Sequence, residues 1–191
     1  MRAPTAISAV VVLVAAGCGY NGVIDKDEAV KAAWSEVENQ YQRRADLVPN
    51  LVATIKGASA FEKDTLTAVV EARARATSIT VDASIIDDPA RLQEFQEAQA
   101  ALSSSLGRLI AVAEAYPELK ASEAYRDLLV QLEGTENRIA VARGRYVTAV
   151  ADYNVYVQRL PTSIGASLRK KAVRPTFDAA AGADVAPKVG F

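Results

Sequence analysis

The chain has 191 residues, of which 50% are hydrophobic, 24% charged and only 6% aromatic, and its formal net charge is −1. That length supports one sizeable core without disulfides, and so small a net charge provides no basic field for nucleic acid. Histidine is absent and Cys18 is the only cysteine, which excludes Ser-His-Asp and Cys-His triads, an HExxH zinc site, a thiolate zinc knuckle and the Glu-x-x-His pairs of di-iron bundles. No GxxxxGK[ST] or GxGxxG loop is present to cradle a phosphate. The composition therefore nominates no catalytic residues, no metal ligands and no cofactor, and a non-enzymatic protein is expected.

Met1-Arg2 precedes an apolar run from Ala3 to Ala16 and then Gly17-Cys18-Gly19-Tyr20. One positive residue, a short hydrophobic region and small residues before a cleavage point are the parts of an export signal. Fourteen helical residues reach about 21 Å, short of the roughly 30 Å hydrocarbon core, so residues 1–17 are expected as a signal peptide or membrane anchor and 18–24 as a linker. Ala15-Ala16-Gly17-Cys18 is similar to a lipobox, which makes Cys18 the candidate lipid attachment site. Ala15 stands where that pattern usually carries leucine, and an uncleaved anchor or ordinary cleavage stays open.

Residues 25–160 show apolar stripes at three- and four-residue steps and no period-2 alternation, the pattern of long helices. The first helix is expected over about 25–44, with Val30, Trp34, Val37 and Tyr41 on one stripe and acidic Asp25, Asp27 and Glu28 at its start. Asp46 can cap a second helix with Pro49 in its first turn. That turn would set Trp34 opposite Gly57 and Ala58. The alternative is a first helix that runs through Pro49 and stops at Gly57; the stripe keeps phase across both places. Residues 80–88 read as a loop ending in the cap Asp88 and Pro89. A third helix follows with Leu92, Phe95, Gln99, Leu102, Leu106, Leu109, Ala113 and Tyr116 in heptads until Pro117. The fourth, capped by Ser122, runs from Glu123 to Arg159. Short connections between long amphipathic helices predict an all-α, antiparallel up-and-down four-helix bundle.

Residues 161–191 carry five basic and two acidic side chains and little periodicity, and are expected as a basic, disordered or loosely docked tail. Its Arg169-Lys170-Lys171 cluster is either a solvated charge run or a contact for anionic lipid or an acidic partner. Glu62, Arg73 and Gln99 interrupt apolar stripes. Reflection of the helices about their loops puts Glu62 level with Arg108, and Arg73 level with Glu94 and Glu97, so interhelix ion pairs are expected. A polar pocket of Glu62, Arg73 and Arg108, serving a small-ligand binder or an enzyme, is the alternative. The tyrosines 146, 153 and 156 read as core and rim.

The strings AWSEVENQYQRRADLVPNLV at 33–52, LGRLIAVAEAYPELKA at 106–121 and TENRIAVARGRY at 135–146 resemble the LemA family of bacterial envelope proteins. Gly17-Cys18-Gly19-Tyr20-Asn21, Lys56-Gly57, Tyr153-Asn154, the segment 160–164 and the closing Ala186-Pro187-Lys188-Val189 extend the resemblance, while residues 75–100 carry little of it. The resemblance implies a helical bundle held outside the cytoplasm by an N-terminal membrane segment or lipid, in the periplasm or at the cell surface. It supplies no reaction and no cofactor. The expected partners are the membrane, through the N-terminus, and another envelope protein; self-assembly through an exposed stripe stays open. The tail departs from the family, with Ser167-Leu168-Arg169-Lys170-Lys171 where an aromatic Phe-Gly-Phe-like stretch is usual, so no docking of the tail is carried over.

Overall fold

The computed structural model describes residues 4–57, 62–79, 82 and 84–177, with side chains described from Asn21 onward within that set. Six α-helices follow in order: α1 (Pro4–Lys56), α2 (Lys63–Ser78), α3 (Pro89–Ala113), α4 (Pro117–Ala121), α5 (Glu123–Gln158) and α6 (Thr162–Leu168), with a 3-10 turn at Ile85–Asp87. α1 and α5 pack antiparallel, with Lys26 bonded to Asp152 and Arg44 to Glu136. α2 returns beside α1 and α3 beside α2, so α1, α2, α3 and α5 make the expected up-and-down helical bundle.

Local chemistry explains most of the boundaries. The Asp88 carboxylate accepts from the Ala90 and Arg91 amides at 2.9 and 3.3 Å, and Pro89 then begins α3 where its missing N–H is harmless. Pro117 opens α4, and Ser122 accepts from the Tyr125 amide at the start of α5. α6 ends in a Schellman turn. The Lys171 amide reaches Ala166 O and the Lys170 amide Ser167 O, with Lys170 in the left-handed region at φ 53°.

Three expectations need correction. The Asp46 turn does not form: α1 continues through Pro49 to Lys56, and Gly57 lies in a turn. Asp46 is exposed and accepts from Gln42 one turn back, at 2.8 Å. Proline at 49 leaves the carbonyl of Ala45, four residues earlier, without its helical donor, and Arg73 Nε on α2 donates to that oxygen at 2.7 Å. The orphaned acceptor is thereby satisfied from the neighbouring helix. Gly57 accordingly lies at the end of α1, not opposite Trp34. Second, the 18–24 linker is helical and part of α1; Val23 is buried and Gly22 lies close against Tyr156 of α5, where an added Cβ would displace the phenol. Third, residues 162–177 of the expected loose tail are ordered against α1 and α5, as follows from their buried Ala166, Arg174 and Phe177. Residues 178–191 lie outside the described set.

The core has two parts. At the Ile24 end, Trp34 packs edge-on to Phe95 and Tyr146 at 5.5 and 5.3 Å and stacks on Phe177 at 6.0 Å, with Val30, Val37, Ile85, Ile86, Val150 and Tyr153 around them. At the Gly57 end the filling is aliphatic: Leu51 and Ile55 of α1, Leu66 and Val69 of α2, and Leu102, Leu106 and Leu109 of α3. Each fully buried side chain of this kind contributes about 1.5–3 kcal/mol.

Candidate functional site

A polar belt separates the two core regions. Arg44, at the end of the first helix expected over 25–44, lies inside the continuous α1 and is 1% exposed. Its guanidinium donates to Gln99 Oε1 at 2.6 Å, Gln99 O at 3.1 Å, Ser103 Oγ at 2.5 Å and Glu136 Oε1 at 2.8 Å, and lies 5.0 Å from the centroid of the Tyr41 ring. One cation thus joins α1, α3 and α5. A buried charge is tolerated only when its donors are engaged in this way, and a single polar layer in an apolar seam fixes the register of the helices around it.

The second constellation closes the aromatic end. After α6 the backbone runs back along the bundle, and Asn154 clamps it: its Nδ2 donates to Arg174 O at 2.9 Å and its Oδ1 accepts from the Arg174 amide at 2.8 Å. Tyr146 Oη donates to Pro175 O at 3.2 Å. The Arg174 guanidinium, 3% exposed, bonds Asp87 Oδ1 at 2.6 Å and Asp27 Oδ1 at 2.8 Å, over the face of Tyr153. Lys171 and Lys31 each reach Asp27 at 3.0 Å. Arg143 covers the Phe177 ring at 4.4 Å. These residues strap the C-terminal segment across α1, α5 and the 3-10 turn.

The electrostatics follow from this packing. Burial alone would raise the Asp27 carboxyl, but hydrogen bonds from Lys31 and Lys171 and the charge of Arg174 outweigh it and hold the group below its ordinary 3.8. Asp27 is then a fixed anion, not a proton donor near neutrality. Burial pushes the Tyr146 phenol up to about 12, so it stays protonated and donating. Among the described residues no group of three or more Cys, Asp or Glu could hold a metal ion.

Residues 33–191, most of the chain, match one protein family, described as the LemA family. The chain belongs to the LemA family. The match takes in the Arg44 belt, Asn154 and the strap, and begins beyond Cys18. Among curated proteins the chain is similar to magnetosome protein MamQ 2 of Paramagnetospirillum magneticum and to magnetosome protein MamQ of Magnetospirillum gryphiswaldense, each 25% identical over 158 residues covering 74% of this chain. The chain spans 58% of the length of those relatives.

The LemA bundle gathers only one of the polar residues singled out from the stripes. Gln99 joins the Arg44 belt. Glu62 is exposed at the start of α2 and accepts from Thr65 at 3.2 Å; Arg108, Glu94 and Glu97 are exposed on α3; Arg73 serves Ala45. The Glu62–Arg108 and Arg73–Glu94/Glu97 pairs are therefore not among the bridges described, and Glu62, Arg73 and Arg108 do not line one pocket. Sequence reasoning missed Arg44 and Arg174. The signal for Arg44 was present, since it sits three residues after Tyr41 on the stripe once α1 is carried through Pro49. The side chain of Cys18 lies outside the described side chains. No helix among the described residues is long and apolar enough to cross a membrane.

Several exposed apolar residues lie along α5. Val130, Val141 and Val155 are 68%, 55% and 58% exposed, and their spacings of 11 and 14 residues place them within about 40° on the helix. Beside Val141 a shallow groove runs between α5 and α1, floored by Ala29, Gly144 and Ala149 and flanked by Lys26 and Asp152.

Proposed function

We propose that the chain is a non-enzymatic helical-bundle scaffold of the bacterial envelope, held at a membrane by its N-terminus and presenting its α5 face to another envelope protein. The observation that carries this reading is the division of labour among the side chains. The buried charges at Arg44, Asp27 and Arg174 are consumed in joining helices, whereas Val130, Val141 and Val155 stand in solvent on one stripe. Burying such a stripe against a partner helix is favourable at about 25 cal/mol per Å². Relatives named as magnetosome proteins support the membrane setting, as do the apolar run 3–16 and the lipobox-like Ala15-Ala16-Gly17-Cys18.

Two experiments test it. Intact-mass spectrometry of the membrane fraction is expected to find a mature chain that begins at Cys18 with added acyl mass, lost in Cys18→Ala; a chain retaining Met1 and Arg2 would replace the lipid with an uncleaved anchor. A photo-cross-linking residue at Val141 is expected to capture a discrete protein in intact cells, while one at Val70, exposed on α2, captures none. Equal and diffuse products from the two positions would remove the α5 face from the proposal.

A further inference from the structure

Six of the exposed large apolar side chains lie at one end of the bundle: Ile24 at the start of the packed part of α1, Val155 and Leu160 around the end of α5, Ile164 and Leu168 on α6, and Val173 just after it. Leu160 and Leu168 are 75% and 68% exposed. α6 buries only Gly165 and Ala166 against the bundle, so its large side chains are turned outward and its small ones inward, the reverse of a helix whose role is to fill a core.

This is also the end from which the apolar run leaves. α1 is continuous from Pro4, and eight residues, about 12 Å of helix, separate Ala16 from Ile24. The six residues from Cys18 to Ile24 amount to about 9 Å. Either form of N-terminal attachment brings this end of the bundle to the headgroup layer. The C-terminal stretch there is charged with one sign: from Arg159 to Phe177 there are five basic residues and no acidic one. Lys171 and Arg174 are engaged with Asp27, while Arg159 and Lys170 are exposed. The exposed acids nearest to them are Asp25 on α1 and Asp152 on α5, the latter paired with Lys26 at 3.1 Å.

We infer that α6 and its flanks, Leu160, Ile164, Leu168, Arg159 and Lys170, form a second membrane contact that seats the bundle on an anionic phospholipid surface. The apolar side chains enter the interfacial layer and the two cations face lipid phosphates. One attachment leaves a rod free to swing. Two contacts at the same end fix its tilt, and with it the direction in which the α5 stripe points.

The inference rests on the membrane reading above, and the test separates the two. Full-length protein is incorporated into vesicles of brominated phosphatidylcholine, with or without phosphatidylglycerol, and flotation reports attachment. Leu168→Trp places a fluorophore on the contact and Val130→Trp places one at the far end of α5; Trp34, 2% exposed, gives a constant background. Bromine quenching of Leu168→Trp is expected, stronger with phosphatidylglycerol, with Val130→Trp unquenched. Adding Arg159→Glu and Lys170→Glu to Leu168→Trp is expected to abolish the part that depends on phosphatidylglycerol while flotation persists. Protein that floats with Leu168→Trp quenched no more than Val130→Trp overturns the second contact alone. Protein that fails to float on either vesicle overturns the membrane reading and this inference together. Both positions are exposed, and an unchanged far-ultraviolet circular dichroism spectrum verifies the fold of each variant.

Discussion

The two ends of the bundle solve the same packing problem with different parts. At the Gly57 end four helices meet, and aliphatic side chains of α1, α2 and α3, joined by Leu132 and Tyr125 of α5, fill the space. At the Ile24 end α2 has already stopped at Ser78, and α1 and α5 run on with only the first turns of α3, through Leu92 and Phe95, beside them. That leaves part of the seam between α1 and α5 open, and the 3-10 turn, α6 and the strap from Lys171 to Phe177 cover it. These substitutes are short and irregular, and they make up in rings and ion pairs what they lack in helix. Aromatic pairs add about 0.5–1.5 kcal/mol beyond their area, and the clamp on Arg174 satisfies a backbone that has no helical partners of its own.

This contrast can be broken most directly at Trp34. Trp34→Ala is expected to destabilise the fold by about 4 kcal/mol in urea unfolding and to remove the tryptophan part of the near-ultraviolet signal, whereas Leu106→Ala is expected to lose about 3 kcal/mol and keep that part. Arg44→Met removes the belt between the ends and strands Gln99 in an apolar layer; a loss of about 3 kcal/mol is expected, and a stable Arg44→Met would mean that the belt sets register without adding stability. Asn154→Ala is expected to lose about 2 kcal/mol through two backbone hydrogen bonds. Its hydrogen exchange should rise around Arg174 and Trp34 and stay unchanged in α2, and uniform loss of protection would show the ends to be one cooperative unit.

The smallest expected effect is on acid stability. Asp27 is held below 3.8 in the folded state, so its contribution is present above the ordinary carboxylate range and disappears as pH falls through the folded value. Melting temperature is expected to fall in that acid range for wild type, and Asp27→Asn should begin lower near neutrality and depend less on pH. A slope that Asp27→Asn leaves untouched would assign acid sensitivity to other carboxylates.

Helix type, the up-and-down order and the start of α3 and α5 were legible because each rests on local chemistry: the periodic stripes, Asp88 before Pro89, and Ser122 before Glu123. The end of α1 was not, because periodicity is blind to whether a helix in phase is interrupted, and the donor that lets α1 pass Pro49 comes from Arg73, 28 residues away. The strap escaped for a related reason. Its sequence from Lys170 to Phe177 has no helical or strand period, and its ordering depends on Asp27, Asp87 and Asn154, which no local rule connects to it. Of the polar residues on apolar stripes, Gln99 and Arg73 did mark where helices meet, though not which atoms they serve, and Glu62 did not.

The strap also sets an order of events. Lys171 and Asp27 are 144 positions apart in the chain, and α2 and α3 are neighbours joined by one loop. Contacts between near segments form early and those between distant ones late, since the intervening chain must first be brought round. The Gly57 end can therefore assemble while the seam around Trp34 is still uncovered. Until Phe177 arrives, that seam is the part of the chain a chaperone can hold, and its closure marks the last step of folding.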